Sequence, residues 1–143
     1  GPGSSVLDLG CGYGYLAIQA HRAGAGPVWA TDSNAAAIRA CQANFGRFGV
    51  LGEVVAGDCG DTVDRRFELV LCNPPFHRGF DTDRHLHERF LKAAARLVDS
   101  AGTCLFVANR FLPIEELAAR CFQSVQTIAE ERGFKVLRMR RPH

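Results

Sequence analysis

The stretch Val6-Leu7-Asp8-Leu9-Gly10-Cys11-Gly12-Tyr13-Gly14 runs a short apolar segment straight into three alternating glycines. A segment of helical period carrying Leu16, Ala20 and Ala23 follows. The order strand, glycine turn, helix opens a parallel α/β unit, because glycines allow a tight turn and a close approach of backbone to ligand that a Cβ would obstruct. Alone, a glycine cluster is a weak signal.

Outward from this stretch, apolar runs at Val28 to Thr31, Glu53 to Ala56, Phe67 to Cys72 and Thr103 to Ala108 alternate with helical segments. Ile38, Cys41 and Phe45 share one helical face, and Leu86, Phe90, Leu97 and Val98 mark another stripe. Asn34 and Asp83 suit helix N-caps. Only a short stretch separates Asp58 from Phe67, which leaves little room for a crossover helix. Near the end, Pro113 can open a short helix through Phe122. Ser124 to Ala129 and Phe134 to Met139 then flank the turn-like Glu130-Glu131-Arg132-Gly133. The pattern predicts an α/β, doubly wound, Rossmann-like sheet, mostly parallel, closed by a C-terminal antiparallel hairpin. Residues 1–143 read as a single domain with no repeat or linker. Residues 1–4, Gly1-Pro2-Gly3-Ser4, are either native loop or the remnant of a cleaved tag, and the abrupt start suggests a fragment of a longer protein.

Acidic residues at the strand ends narrow the ligand. Asp8 sits beside the glycine loop, Asp32 closes the second strand about twenty residues later, and Asp58 follows the third. A carboxylate at Asp32 suits ribose hydroxyls. The glycines are spaced G-x-G-x-G and not as the dinucleotide G-x-G-x-x-G. An additional carboxylate at Asp8 repels a pyrophosphate but suits a cationic methionyl group. The combination favours S-adenosylmethionine over NAD.

Phe67-Glu68-Leu69-Val70-Leu71-Cys72 then delivers Asn73-Pro74-Pro75-Phe76 to the ligand edge of the sheet. An exocyclic amine conjugated to a ring is a poor nucleophile, because its lone pair is delocalised. The Asn73 side-chain oxygen and the Pro74 carbonyl can each accept one of its hydrogens, which raises electron density on nitrogen as it rehybridises. Prolines hold such a carbonyl in place, and Phe76 can stack on the base. On this reading Asn73, Pro74, Pro75 and Phe76 form the catalytic set.

Asp8-x-Gly10-x-Gly12-x-Gly14 resembles the first motif of class I S-adenosylmethionine-dependent methyltransferases. Asn73-Pro74-Pro75-Phe76-His77, Val107-Ala108-Asn109-Arg110-Phe111-Leu112-Pro113 and Phe134-Lys135-Val136-Leu137 resemble the catalytic half of the guanine-N2 methyltransferases that modify RNA of the small or the large ribosomal subunit, the methyltransferase small domain. The resemblance implies that Asp8, Gly10, Cys11, Gly12 and Gly14 surround the methionyl part of the cofactor. It further implies Asp32 and Ser33 at the ribose, Asp58 and Cys59 at the adenine, Asn73 beside the methyl, and S-adenosylhomocysteine as product. Ribosomal RNA or a ribosomal subunit is the implied partner, with a missing N-terminal domain supplying RNA binding.

Other readings stay open on the sequence alone. Asn-Pro-Pro before an aromatic also suits adenine amines and protein glutamine. A vestigial fold that binds RNA or a partner without catalysis is a different class, and a nicotinamide-dependent oxidoreductase is a third. His77 can contact substrate, while Arg78, Arg84 and Arg110 can face phosphates; Asn109 and Arg110 can instead brace the Asn73 loop.

Composition is compatible with these readings. The chain has 143 residues, 22% charged, with a net charge of +2, and no stretch long enough to span a membrane, so a cytoplasmic location is expected. The six cysteines include no Cys-x-x-Cys pair, so neither a metal site nor a disulfide framework is expected.

Overall fold

In the computed structural model, which describes residues 3–74 and 80–143, strands β1 (Val6–Leu9), β2 (Val28–Asp32), β3 (Gly52–Ala56), β4 (Phe67–Cys72), β5 (Val98–Asn109), β6 (Phe122–Glu131) and β7 (Phe134–Pro142) form one sheet. Their order is β3-β2-β1-β4-β5-β7-β6. The first five are parallel to one another, and β7 runs antiparallel to both β5 and β6. Helices α1 (Tyr15–Arg22), α2 (Ala35–Phe48), α3 (Phe80–Leu97) and α4 (Glu115–Cys121) cover it. The doubly wound expectation is met.

Alternation along β1 shows why both faces are covered. Val6 packs with Ala17 and Ile18 of α1 and Cys41 and Phe45 of α2, while Leu7 and Leu9 pack with Leu91, Ala94 and Leu97 of α3 and with α4. Successive strand side chains point to opposite faces, so a strand buried along its whole length needs helices on each side. Ile38, Cys41 and Phe45 are all buried, as their spacing predicts. Asn34 caps α2 by accepting from the Ala37 amide at 3.0 Å. Helix α3 begins at Phe80, ahead of the expected cap at Asp83, and Val98 belongs to β5 instead of the helix.

No helix lies between β3 and β4. The loop that replaces it is tied to α3 and to the sheet by arginines. Arg96 of α3 donates to the Gly60 and Val63 carbonyls at 2.8 and 3.2 Å, and Val63 is buried in the core beneath. Arg65 lays its guanidinium over the rings of Trp29 and Phe67 at 5.3 and 4.9 Å. A planar cation shields apolar surface where a helix would otherwise do so.

The terminal hairpin is longer than expected, and α4 begins at Glu115 instead of Pro113. The β6–β7 turn is Arg132-Gly133, both with positive φ (51° and 84°), the geometry of a two-residue hairpin. No described helix is long and apolar enough to cross a membrane.

Candidate active site

Strand register brings the predicted residues to one edge. Leu9 is opposite Thr31 on one side and Cys72 on the other, and Asp32 is opposite Ala56. The next positions outward are therefore Gly10, Asp32, Ala56 and Asn73, on strands about 4.8 Å apart. Strand β1 leads to β2 on one side while β4 lies on the other, so the chain reverses direction across the sheet here. Ligands of parallel sheets bind in the crevice at such a point.

A cleft of about 730 Å³ opens at that point. It is lined by Asp8, Gly10, Cys11, Gly12, Asp32, Ser33, Asp58, Cys59 and Asn73 together. Gly14 is buried just beneath and N-caps α1 with φ 97°. Pro74 is buried behind Asn73. Pro75, Phe76, His77 and Arg78 lie outside the described residues.

The loop needs glycine on steric grounds at two places. Gly10 has φ 78° and a Cβ there would lie 2.9 Å from the Phe90 ring; at Gly14 it would lie 2.8 Å from the Cys41 sulfur. The loop amides turn inward. Gly10 and Cys11 both donate to the Thr31 carbonyl at 2.9 Å, Gly12 donates to Asp32 Oδ2 at 2.9 Å, and Gly14 donates to the Cys11 carbonyl at 2.9 Å. None of these four is left to cradle a phosphate.

Asp32 also accepts from the Asn34 amide through Oδ1 at 2.9 Å, which holds the carboxylate between the loop and α2. Each oxygen keeps a lone pair for another donor. Asp8, buried, accepts from the Ala17 amide at 3.1 Å and so serves the open N-terminus of α1, where Gly14 has no side chain to do so. Burial, reinforced by the nearby charge of Asp32 and opposed by the Ala17 bond, pushes the Asp8 carboxyl up to about 7. The Cys11 thiol is held well above its ordinary range, first by its hydrogen bond with Cys41 and then by burial. A thiol so placed stays protonated and is no nucleophile.

At the other end of the cleft the Asp58 amide donates to Asp61 Oδ1 at 2.8 Å, and Cys59 takes a left-handed φ of 49°. The Asp58 carboxylate pairs with Arg89 of α3 at 2.7 Å. Burial raises the Cys59 thiol.

Tyr13, Tyr15, Leu16, Leu86, Arg89 and Phe90 also line the cleft, beyond the residues that the sequence motifs point to. Leu86 and Phe90 belong to an apolar stripe that reads as core, and nothing in their spacing tells which end of the stripe reaches a ligand. Tyr13 and Tyr15 flank Gly14 and are 63% and 59% exposed, a signal that lies within the loop itself. Asn109 accepts from the Phe111 amide, and Arg110 lies 3.7 Å from Glu130.

The lining of the cleft suits a nucleoside attached to a cation. Three carboxylates face it, and Arg89, the arginine lining it, is engaged by one of them. Among the described residues no group of histidine, cysteine and acidic side chains is arranged to hold a metal ion.

Residues 2–138 match the family described as the methyltransferase small domain. A ribosomal RNA small subunit methyltransferase C of Stutzerimonas stutzeri is 35% identical over 138 residues, 96% of this chain and 42% of the relative. The protein of that name from Pseudomonas paraeruginosa is 37% identical over 142 residues, 99% of this chain and 43% of the relative. The chain thus spans about two fifths of the length of the curated relatives it matches. Among solved structures, a T. thermophilus 16S rRNA N2 methyltransferase in complex with AdoMet and guanosine superimposes with a TM-score of 0.87 at 29% identity, covering 98% of this chain and 38% of that one. A ribosomal protein L11 methylase from Lactobacillus delbrueckii, at 24% identity and TM-score 0.81 over 99% of this chain and 71% of that one, shares the fold.

Proposed function

The chain belongs to the methyltransferase small-domain family, and from that membership we propose that it transfers a methyl group from S-adenosylmethionine to the N2 amine of guanine in ribosomal RNA. One observation carries the reading. The cleft joins three carboxylates to Asn73 while the amides of Gly10, Cys11, Gly12 and Gly14 are turned inward, which suits a cationic nucleoside and disfavours a pyrophosphate.

S-adenosylmethionine supplies the methyl as part of a sulfonium that already carries the activation, so the protein's task is positioning. Gly10, Cys11, Gly12 and Gly14 shape the wall against the methionyl part, and Asp8 offers it a carboxylate. Asp32 with Ser33 receives the ribose hydroxyls; Asp58 with Cys59 borders the adenine. Asn73 stands one strand from Gly10, so an amine bound to its side-chain oxygen and to the Pro74 carbonyl faces the methyl in line. By the chemistry of the motif, Pro75 is assigned to fixing that carbonyl and Phe76 to stacking on the guanine. The proton leaves to water once nitrogen has become positive, so no strong base is needed.

The relatives named as ribosomal RNA methyltransferases and the likeness to a structure holding AdoMet and guanosine support guanine over adenine or glutamine. An RNA target in the ribosome implies cytoplasmic work, and residues 1–143 act as one catalytic domain. Calorimetry against S-adenosylmethionine, S-adenosylhomocysteine and NAD tests the cofactor: binding of NAD alone overturns it. Labelled cofactor offered with naked ribosomal RNA, ribosomal subunits, DNA and release-factor protein tests the acceptor, where label confined to protein removes the RNA assignment.

A further inference from the structure

Beyond the cleft, β5 ends in a turn whose backbone is pinned from every side. The Asn109 side chain accepts from the Phe111 amide at 2.9 Å, and the Leu112 amide donates to the Asn109 carbonyl at 3.1 Å. The Arg110 amide donates to the Gly133 carbonyl of the hairpin turn at 2.7 Å. Buried Lys135 donates to the Leu112 carbonyl at 2.7 Å and pairs with Glu115.

On this rigid turn Phe111 is 80% exposed, the most exposed of the large apolar side chains among the described residues. The apolar demand of the segment is met without it, since Leu112 and Ile114 are buried on either side of Pro113. The Arg110 guanidinium lies 5.7 Å from the Phe111 ring centroid and is itself steadied by Glu130 at 3.7 Å. Phe134, directly across the ladder from Asn109, is half exposed at the same edge.

Position gives this pair its meaning. Strands β4 and β5 are parallel, with Cys72 opposite Phe106, so Asn109 to Phe111 leave the sheet at the same edge as Asn73, one strand over and further out. The separation is on the order of 10 Å. A base that enters the cleft must leave its own stack, which strips its neighbour of a stacking partner. A fixed aromatic ring at the mouth replaces that partner, and a guanidinium over the ring strengthens it.

We propose that Phe111, with Arg110 laid over it, is a stacking platform for the nucleobase that flanks the target in single-stranded RNA. RNA is favoured over a protein partner because the feature is one ring joined to a cation on a rigid turn. The inference rests on the RNA reading of the cleft, so binding and methyl transfer are measured separately.

The test uses the protein loaded with S-adenosylhomocysteine and fluorescence anisotropy of two labelled oligoribonucleotides. One carries a central guanosine with normal flanks; the other keeps the ribose-phosphate backbone but lacks the flanking bases. Phe111→Ala is expected to weaken the first by about tenfold, to leave the second unchanged, and to leave the salt slope of binding unmoved, because no phosphate contact is lost. Phe111→Trp restores affinity. Affinity of each variant for S-adenosylhomocysteine reports that the fold is intact. Equal binding by Phe111→Ala and the parent overturns the proposal, as does rescue by Phe111→Leu equal to that by Phe111→Trp. A parent that ignores both oligonucleotides but self-associates or binds ribosomal protein through Phe111 also overturns it. Base-dependent binding through Phe111 without any methyl transfer upholds the platform and removes the guanine assignment.

Discussion

The Arg89 guanidinium of α3 lies 2.7 Å from the Asp58 carboxylate, joining that helix to the helix-free loop after β3 across the mouth of the cleft. Both partners are more than half exposed, so the pair contributes little to stability, about 0–1 kcal/mol. Its effect is on direction: Arg89 holds Oδ2 and so fixes how the carboxylate faces the cleft.

Replacing Arg89 by Met is accordingly expected to leave the melting temperature within a few degrees while weakening S-adenosylhomocysteine binding about three- to tenfold, the cost of ordering Asp58 at the moment of binding. Calorimetry beside a thermal melt checks this. A large loss of stability with unchanged affinity would make the pair a structural brace.

Asp8 links cofactor to pH. Its carboxyl is pushed up to about 7 from an ordinary value of 3.8. Between those values the folded protein keeps a proton that the unfolded chain has released, so the stability it contributes is present in full below about 4 and is lost as pH rises through about 7. Asp8→Asn, which can still accept from the Ala17 amide, should remove that slope, worth at most about 4 kcal/mol across the window. A cationic ligand favours the ionised carboxylate, so S-adenosylmethionine affinity should rise with pH up to about 7 and release a proton on binding. Calorimetry at about pH 6.5, just below the Asp8 value, in buffers of different ionisation enthalpy measures the proton; none released contradicts the placement of the cation at Asp8.

Asn73 is exposed at the edge of the cleft, so its loss should not disturb packing. Asn73→Ala should retain cofactor affinity and lower methyl transfer by about 10²- to 10³-fold, the usual cost of removing one polar partner of a transition state. Single-turnover rates decide it, and full activity removes Asn73 from the chemistry.

Lys135 and Glu115 support the turn that carries Phe111. Lys135 is buried while Glu115 is half exposed, so Glu115→Ala leaves a buried ammonium with only the Leu112 carbonyl. A loss of about 3 kcal/mol in urea unfolding is expected. Lys135→Met, which removes the charge as well, should cost less.

Much of this architecture is legible in local pattern. The short apolar runs and the stripe Ile38, Cys41, Phe45 reflect burial in the sheet and against it, and burial is dictated by which side chains water excludes. The glycine loop is equally legible, because a left-handed φ and contact with Phe90 or Cys41 admit no Cβ. Strand ends are less so: β5 extends back to Val98 because its ladder partners, and not its own residues, decide where pairing stops.

Local sequence was therefore enough for the parallel α/β frame and for the acidic strand ends at Asp8, Asp32 and Asp58 that share the cleft edge with Asn73. Which distant groups meet them was left to the packing of the chain. Arg89 and Phe90 reach the cleft because α3 packs over β1 and β4, Asp8 is pushed to about 7 because the fold buries it beneath α1, and Phe111 is exposed because the hairpin turn holds its backbone outward. Each depends on contacts between residues far apart in the chain, which have no period for a sequence to display.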